Sequence, residues 1–271
     1  MYEEFYGLKE KPFTIQPDPD FLFFGRRHSM AYSMLEYGIE SRAGFSVICG
    51  EIGCGKTTLV RHLLNNIGSD VKVGIVYNTH QKVDDLLGWI MLAFEQPYAG
   101  MSEIELFDAF QKFLISSYVA GQRVVLIVDE AQNLSPGALE SLRMLSNINA
   151  DKDQLLQVIL VGQPELRELL RRPDLQQFMQ RVAVDFFIPA LQPFEVAKYI
   201  QHRLSVAGCE KPLFTARAIE LIAEESKGVP RSINILCDMA MVYGFSSGEE
   251  KIGAEVVVEL LKDRAKFGVL A

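Results

Sequence analysis

Apolar residues along this chain fall into short continuous runs and longer helical stripes. Phe45-Ser46-Val47-Ile48-Cys49 is a short, partly β-branched run that suits a buried parallel strand. Leu59, Val60, Leu63, Leu64 and Ile67 follow at helical spacing, which predicts a helix from about Lys56. Four further strands are predicted by VKVGIVYN over 71–78, VVLIVDE over 124–130, LLQVILVG over 155–162 and VAVDFFI over 182–188. Helices are expected from Met30, with Leu35 and Ile39 among its apolar positions, and over 83–94, 103–119 and 136–146. Strands that alternate with helices, several apolar on both faces, predict a parallel sheet covered on both sides. Beyond Pro189 the pattern turns purely helical, with helices expected over 194–205, 216–225, 231–245 and 254–266. The first 30 or so residues are rich in Phe, Pro and Asp and predict an ordered extended arm with turns. The expected organisation is an α/β core over 1–190, arm included, and a small all-helical domain over 191–271.

The first strand runs into Gly50-Glu51-Ile52-Gly53-Cys54-Gly55-Lys56-Thr57, which reads G-x-x-x-x-G-K-T and leads through Thr58 into the helix. Strand, glycine-rich turn and helix is the context of a phosphate-binding loop. Glycines let successive N–H groups point at a β-phosphate, and the helix N-terminus adds partial positive charge. Lys56 is expected to bridge β- and γ-phosphates and the Thr57 hydroxyl to ligate Mg²⁺. The competing reading is a glycine-rich turn that happens to fit.

Asp129 and Glu130 close the apolar run Val124 to Val128, at the strand end where open α/β sheets bind ligands. Asp129 is expected to hold Mg²⁺ through a water, and Glu130 to orient and deprotonate an attacking water. A solvated acidic strand end is the alternative. Gln163, at the end of the fourth strand, is expected to meet the γ-phosphate or the water; a plain turn amide fits nearly as well. Pro230 opens a helix where its missing N–H costs little, and so directs Arg231, which reaches the phosphates if the helical part folds over them. Arg181, or else Arg172, is expected to enter a neighbouring protomer's site as an arginine finger. Each of these three arginines also fits a surface role.

Composition narrows the partners. Of 271 residues 49% are hydrophobic and 23% charged, ordinary values for a globular protein. A net charge of −8 gives no global positive field for nucleic acid or anionic lipid, leaving only local groups such as Arg26-Arg27-His28 and Arg167/Arg171/Arg172. The four cysteines form no C-x-x-C pair, which favours reduced thiols in a cytosolic compartment over disulfides or zinc. MYEEFYGLKEKPF is unlike a signal peptide, and no apolar run approaches the roughly 18 residues of a membrane span.

Taken together these residues resemble an AAA+ ATPase, and more narrowly the general secretion pathway protein A type. Within that type the chain looks most like the ATPases encoded beside exosortase (PEP-CTERM) polysaccharide-export loci. The opening MYEEFYGLKEKPFTIQPDPDFLF, GEIGCGKTTL, VLIVDEAQNLSP, LRMLSNINADKDQLLQVILVGQPELRELLRRPDL and GVPRSIN carry the resemblance over essentially the whole chain. It implies a P-loop AAA+ αβα core with a five-stranded parallel sheet and a C-terminal helical lid. It further implies Walker A at Lys56 and Thr57, Walker B at Asp129 and Glu130, sensor 1 at Gln163, an arginine finger at Arg181 and sensor 2 at Arg231. AAA+ proteins more often use Asn, Ser or Thr at sensor 1. Cys54 stands where relatives carry a small or hydroxyl residue. At a helix N-terminus its thiol is expected to have a lowered pKa, so that alkylation or oxidation blocks ATP binding. The arm through Phe24-Gly25-Arg26 is expected to close over the adenine.

Three functions follow. The first is a cytoplasmic Mg²⁺-dependent ATPase, homo-oligomeric when ATP-bound, that drives or regulates a secretion, exopolysaccharide-export or envelope machine, with peripheral attachment at the inner membrane face in view. The second is an ATP-dependent DNA-associated regulator of the transposition type, and the third a nucleotide-gated scaffold. Many relatives continue into a membrane segment and a cell-wall-binding domain. Such functions are not expected of a chain whose last residue is Ala271.

Overall fold

The structure, a computed structural model, describes residues 1–77, 86–150 and 153–267. In chain order the elements up to the last strand are α1 (Arg26–Glu40), β1 (Phe45–Gly50), α2 (Lys56–Asn66), β2 (Val71–Val76), α3 (Leu86–Ala93), α4 (Glu103–Val119), β3 (Arg123–Val128), α5 (Pro136–Leu145), β4 (Asn149–Ala150), β5 (Asp153–Gln154), β6 (Leu156–Gly162), α6 (Pro164–Leu170), α7 (Gln176–Met179) and β7 (Val182–Ile188). Helices α8 (Pro193–Val206), α9 (Ala216–Ser226), α10 (Pro230–Ser246) and α11 (Ala254–Phe267) follow.

Strands β2, β3, β6, β1 and β7 pair in that order, every pair parallel, as the alternating pattern predicts. β1 and β6 are buried along their whole length, the reason their sequences carry no polar alternation. Three short elements were not anticipated: α6, α7 and the antiparallel β4–β5 pair. α1 starts at Arg26, four residues before Met30, because Arg26-Arg27-His28-Ser29 carries no apolar stripe to announce it. Asn78, expected to end the second strand, and residues 83–85 of the helix expected over 83–94 lie outside the described residues.

Contacts divide the chain into two units. One comprises Ser29–Gly50 and Leu63–Ile188, whose core is aliphatic sheet residues under Phe94, Phe110 and Phe178. The other comprises Met1–His28, Glu51–His62 and Pro189–Ala271. There the arm's Tyr2, Tyr6, Phe13 and Phe21 share a core with Tyr199, Phe214, Ile233 and Met241 of the helices. Polar groups tie the arm down. The buried Arg203 donates through Nε to Pro12 O at 2.6 Å and lies 4.4 Å over the Phe21 ring, and Asn234 Nδ2 donates to Thr14 O at 2.9 Å. Among the described residues no helix is long and apolar enough to cross a membrane.

Candidate functional site

The parallel sheet fixes where the chemistry gathers. β3, β6 and β1 are neighbours, so their C-terminal ends share one edge. That edge presents Gly50 at the end of β1, Asp129 and Glu130 after β3, and Gln163 after β6. Gly50 lies close against β7: a Cβ there would stand 2.6 Å from Ile188 O.

The loop after Gly50 is shaped by its own main chain. Gly53 and Gly55 have φ of +81° and +87°, the left-handed region that glycine enters without penalty. Cys54 N–H donates to Glu51 O at 3.2 Å, and Lys56 Nζ, buried, donates to the same carbonyl at 3.0 Å. Arg231 N–H, in the first turn of α10, donates to Gly53 O at 3.2 Å. A Cβ on Gly53 would stand only 2.5 Å from the Arg231 Cβ, so the start of α10 sits directly on the loop. Thr57 and Thr58 are half-buried in the first turn of α2. Glu51 and Ile52 are exposed.

His28 supports the same loop. Its Nε2 lies 2.8 Å from Cys54 O, and because a carbonyl only accepts, Nε2 carries the proton. Burial lowers the His28 pKa, opposed by that hydrogen bond and by the Glu195 charge. Nothing in the sequence pattern had pointed to His28 as a loop contact. Cys54 overturns an expectation. Its side chain is fully buried, and burial outweighs Lys56 and pushes the thiol up to about 11, so the lowered pKa and the reactivity built on it do not hold.

At the acidic edge, Asp129 is buried and its Oδ1 accepts from Glu130 N–H at 2.9 Å. Glu130 holds φ +55°, ψ 38°, a left-handed conformation rarely taken by a residue with a Cβ. Its Oε2 accepts from Gln163 Nε2 at 2.9 Å and from Gln132 Nε2 at 2.5 Å. Gln132 Oε1 in turn accepts from Gln163 N–H at 3.0 Å. Glu130, Gln132 and Gln163 thus form a closed ring. In the sequence Gln132 is marked only by its position two residues beyond Glu130.

The arginines separate. Arg231 is at the loop. Arg181 precedes β7 at the opposite edge of the sheet from Gln163, about 20 Å away along a seven-residue strand. It donates to Ser146 Oγ at 3.1 Å. Arg172 forks onto Asp174 at 3.0 and 2.8 Å.

The residues suit a magnesium nucleotide. Positive-φ glycines at a helix N-terminus, with a buried lysine, make an anion cradle. Within the loop's unit the Thr57 hydroxyl, and within the sheet's unit the Asp129 carboxylate, are each a hard oxygen of the kind Mg²⁺ takes.

Comparison with known proteins bears on the fold. A family model described as an AAA domain matches residues 39–170. General secretion pathway protein A of Aeromonas hydrophila is 41% identical over 253 residues, covering 93% of this chain and 46% of that protein. The chain thus spans less than half of that relative's length. Among solved structures, the Aeropyrum pernix ORC2 protein in its ADPNP-ADP complexes superposes with a TM-score of 0.65 at 19% identity, over 92% of this chain and 72% of that one. Drosophila ORC bound to DNA gives 0.69 at 14% over 96% and 65%. The Thermotoga maritima RuvB Holliday junction branch migration motor gives 0.55 at 17% over 89% and 70%. At such identities these likenesses speak to the fold alone. The parallel sheet with its helices shares the fold of these AAA-type structures, and the chain is similar to general secretion pathway protein A over the part of that relative it spans.

Proposed function

We propose that this chain is a Mg²⁺-dependent ATPase whose nucleotide state regulates a secretion or envelope machine. The observation that supports it most is the convergence, at one edge of three adjacent parallel strands, of the loop's first glycine, the Asp129–Glu130 pair and Gln163. Loop N–H groups from Gly50 to Thr58, with Lys56, hold the β- and γ-phosphates. Thr57 and Asp129 would hold Mg²⁺, which would supply neutralisation of phosphate charge. Glu130 takes the proton of the attacking water, and Gln163 orients the water or the γ-phosphate. Arg231 answers the nucleotide through its seat on the loop. Arg181, remote from the nucleotide edge of its own sheet, serves the site of a neighbouring copy, so the ATP-bound form is a homo-oligomer. Similarity to general secretion pathway protein A supports a secretion setting, and a cytoplasmic place at the inner membrane face is part of the proposal. The narrower link to exosortase polysaccharide-export loci rests on sequence resemblance.

The DNA-associated reading is weaker. Arg167 is paired with Asp185 and Arg172 with Asp174, which neutralises much of the basic stripe it needs.

Glu130→Gln tests the proposal. It should bind Mg-ATP with wild-type affinity and hydrolyse it at least about 100-fold more slowly. Near-normal turnover would assign the base elsewhere, and a wild-type chain that fails to bind Mg-ATP sinks the whole reading. The specific rate should also climb with protein concentration if Arg181 acts between copies.

A further inference from the structure

We infer that Gln132 is a positioning residue for Glu130, the arm that keeps the general base aimed while Gln163 changes partner. The inference rests on the ATPase reading above. Gln132 lies in the short 3-10 turn Ala131–Asn133 that follows Glu130. The orientation of its amide is settled by its partners. Oε1 accepts from a main-chain N–H, that of Gln163, so Nε2 must face Glu130 Oε2, which it meets at 2.5 Å. Gly162 leaves room for this arrangement: a Cβ there would stand 2.9 Å from Gln132 Oε1 and 2.8 Å from Leu166 Cδ2.

Glu130 Oε2 also takes Gln163 Nε2, at 2.9 Å. The two amides differ in what else they can do. Gln163 reaches Glu130 by its side chain alone, and that side chain is the group proposed to turn to the γ-phosphate or the attacking water. Once turned, it no longer holds Glu130. Gln132 is anchored to the main chain of Gln163, not to its side chain, so it stays when the Gln163 amide leaves. Glu130 then keeps a donor on one oxygen, and its strained left-handed backbone is held by the ring instead of relaxing. Gln132 therefore acts on turnover through Glu130 and not on nucleotide affinity.

Gln132→Glu isolates this role. It keeps the shape and still accepts from Gln163 N–H, but it replaces the donor to Glu130 with a second carboxylate. Expected are a fall in kcat of at least about tenfold and a KM for ATP within about threefold of wild type. In a Glu130→Gln background the same change should alter the residual rate by no more than about twofold, because the group it acts through is gone. Gln132→Leu, which removes donor and acceptor together, should show the same split. Wild-type kcat in a folded Gln132→Glu variant overturns the inference. So does a loss of kcat matched by equal losses of affinity and melting temperature in both variants, which would mark a purely structural residue. A wild-type chain no faster than Glu130→Gln sinks the ATPase reading and this inference with it, whereas an active wild type with an indifferent Gln132 sinks the inference alone.

Discussion

The glycine loop and the acidic strand edge hold their groups by different means. In the loop the partners are main-chain carbonyls: Glu51 O takes Lys56 Nζ and Cys54 N–H, Gly53 O takes Arg231 N–H, and Cys54 O takes His28 Nε2. At the edge the acceptors are side chains, and a carboxylate and two carboxamides form a ring closed through the Gln163 main-chain N–H. A loop built on backbone is vulnerable to any added Cβ and tolerant of side-chain chemistry. An edge built on side chains is vulnerable to a swapped donor even when shape is kept. Changes in the loop should therefore be read in binding, and changes at the edge in turnover.

The largest effect expected from this difference comes from a pair of alanines. Gly53→Ala meets the Arg231 Cβ at 2.5 Å and must hold φ +81° with a side chain, so the loop has to open. Left-handed strain and overpacking each cost about 1–3 kcal/mol, and nucleotide affinity should fall by roughly 100-fold or more. Gly162→Ala pushes on Gln132 and Leu166 at 2.9 and 2.8 Å and should slow turnover with affinity within about threefold. Titration with a fluorescent ADP analogue and steady-state rates separate the two. Equal losses of affinity in both variants would break the distinction.

Much of this architecture was legible in the sequence, for reasons particular to each part. β1 and β6 are buried throughout, so apolar runs interrupted only by Ser46 and Gln157 announce them, and the glycine spacing announces a loop whose shape is set by backbone. The ring at Glu130 left no such mark, because an amide's orientation depends on a strand 31 residues away. α6 and α7 are too short for a helical period to show. The arm's aromatic residues have no period at all; they find their places through distant partners such as Arg203 on Pro12 O. Cys54 misled because position at a helix N-terminus argues for a reactive thiol, while full burial argues the other way and prevails.

The smallest effect tests His28, the histidine that props the loop. Burial holds His28 below the ordinary histidine value of 6.5, with the Cys54 carbonyl and the Glu195 carboxylate pulling the other way. The folded state therefore favours the neutral ring, whose Nε2–H supports the loop. Above pH 6.5 both folded and unfolded chains carry it neutral, and its contribution to stability is fully present. As pH falls below 6.5 the unfolded chain takes up the proton first, and stability is lost until the folded-state pKa is passed. His202, also lowered by burial, adds a second share in the same direction. Urea midpoints should thus drop between pH 7.5 and 5.5, and drop less in His28→Gln, the remainder belonging to His202. Gly162→Ala and Gln132→Glu should keep the wild-type slope, since neither touches His28. If His28→Gln leaves the slope unchanged while an edge variant flattens it, the acid-sensitive support lies at the carboxylates and the contrast between the two regions is reversed.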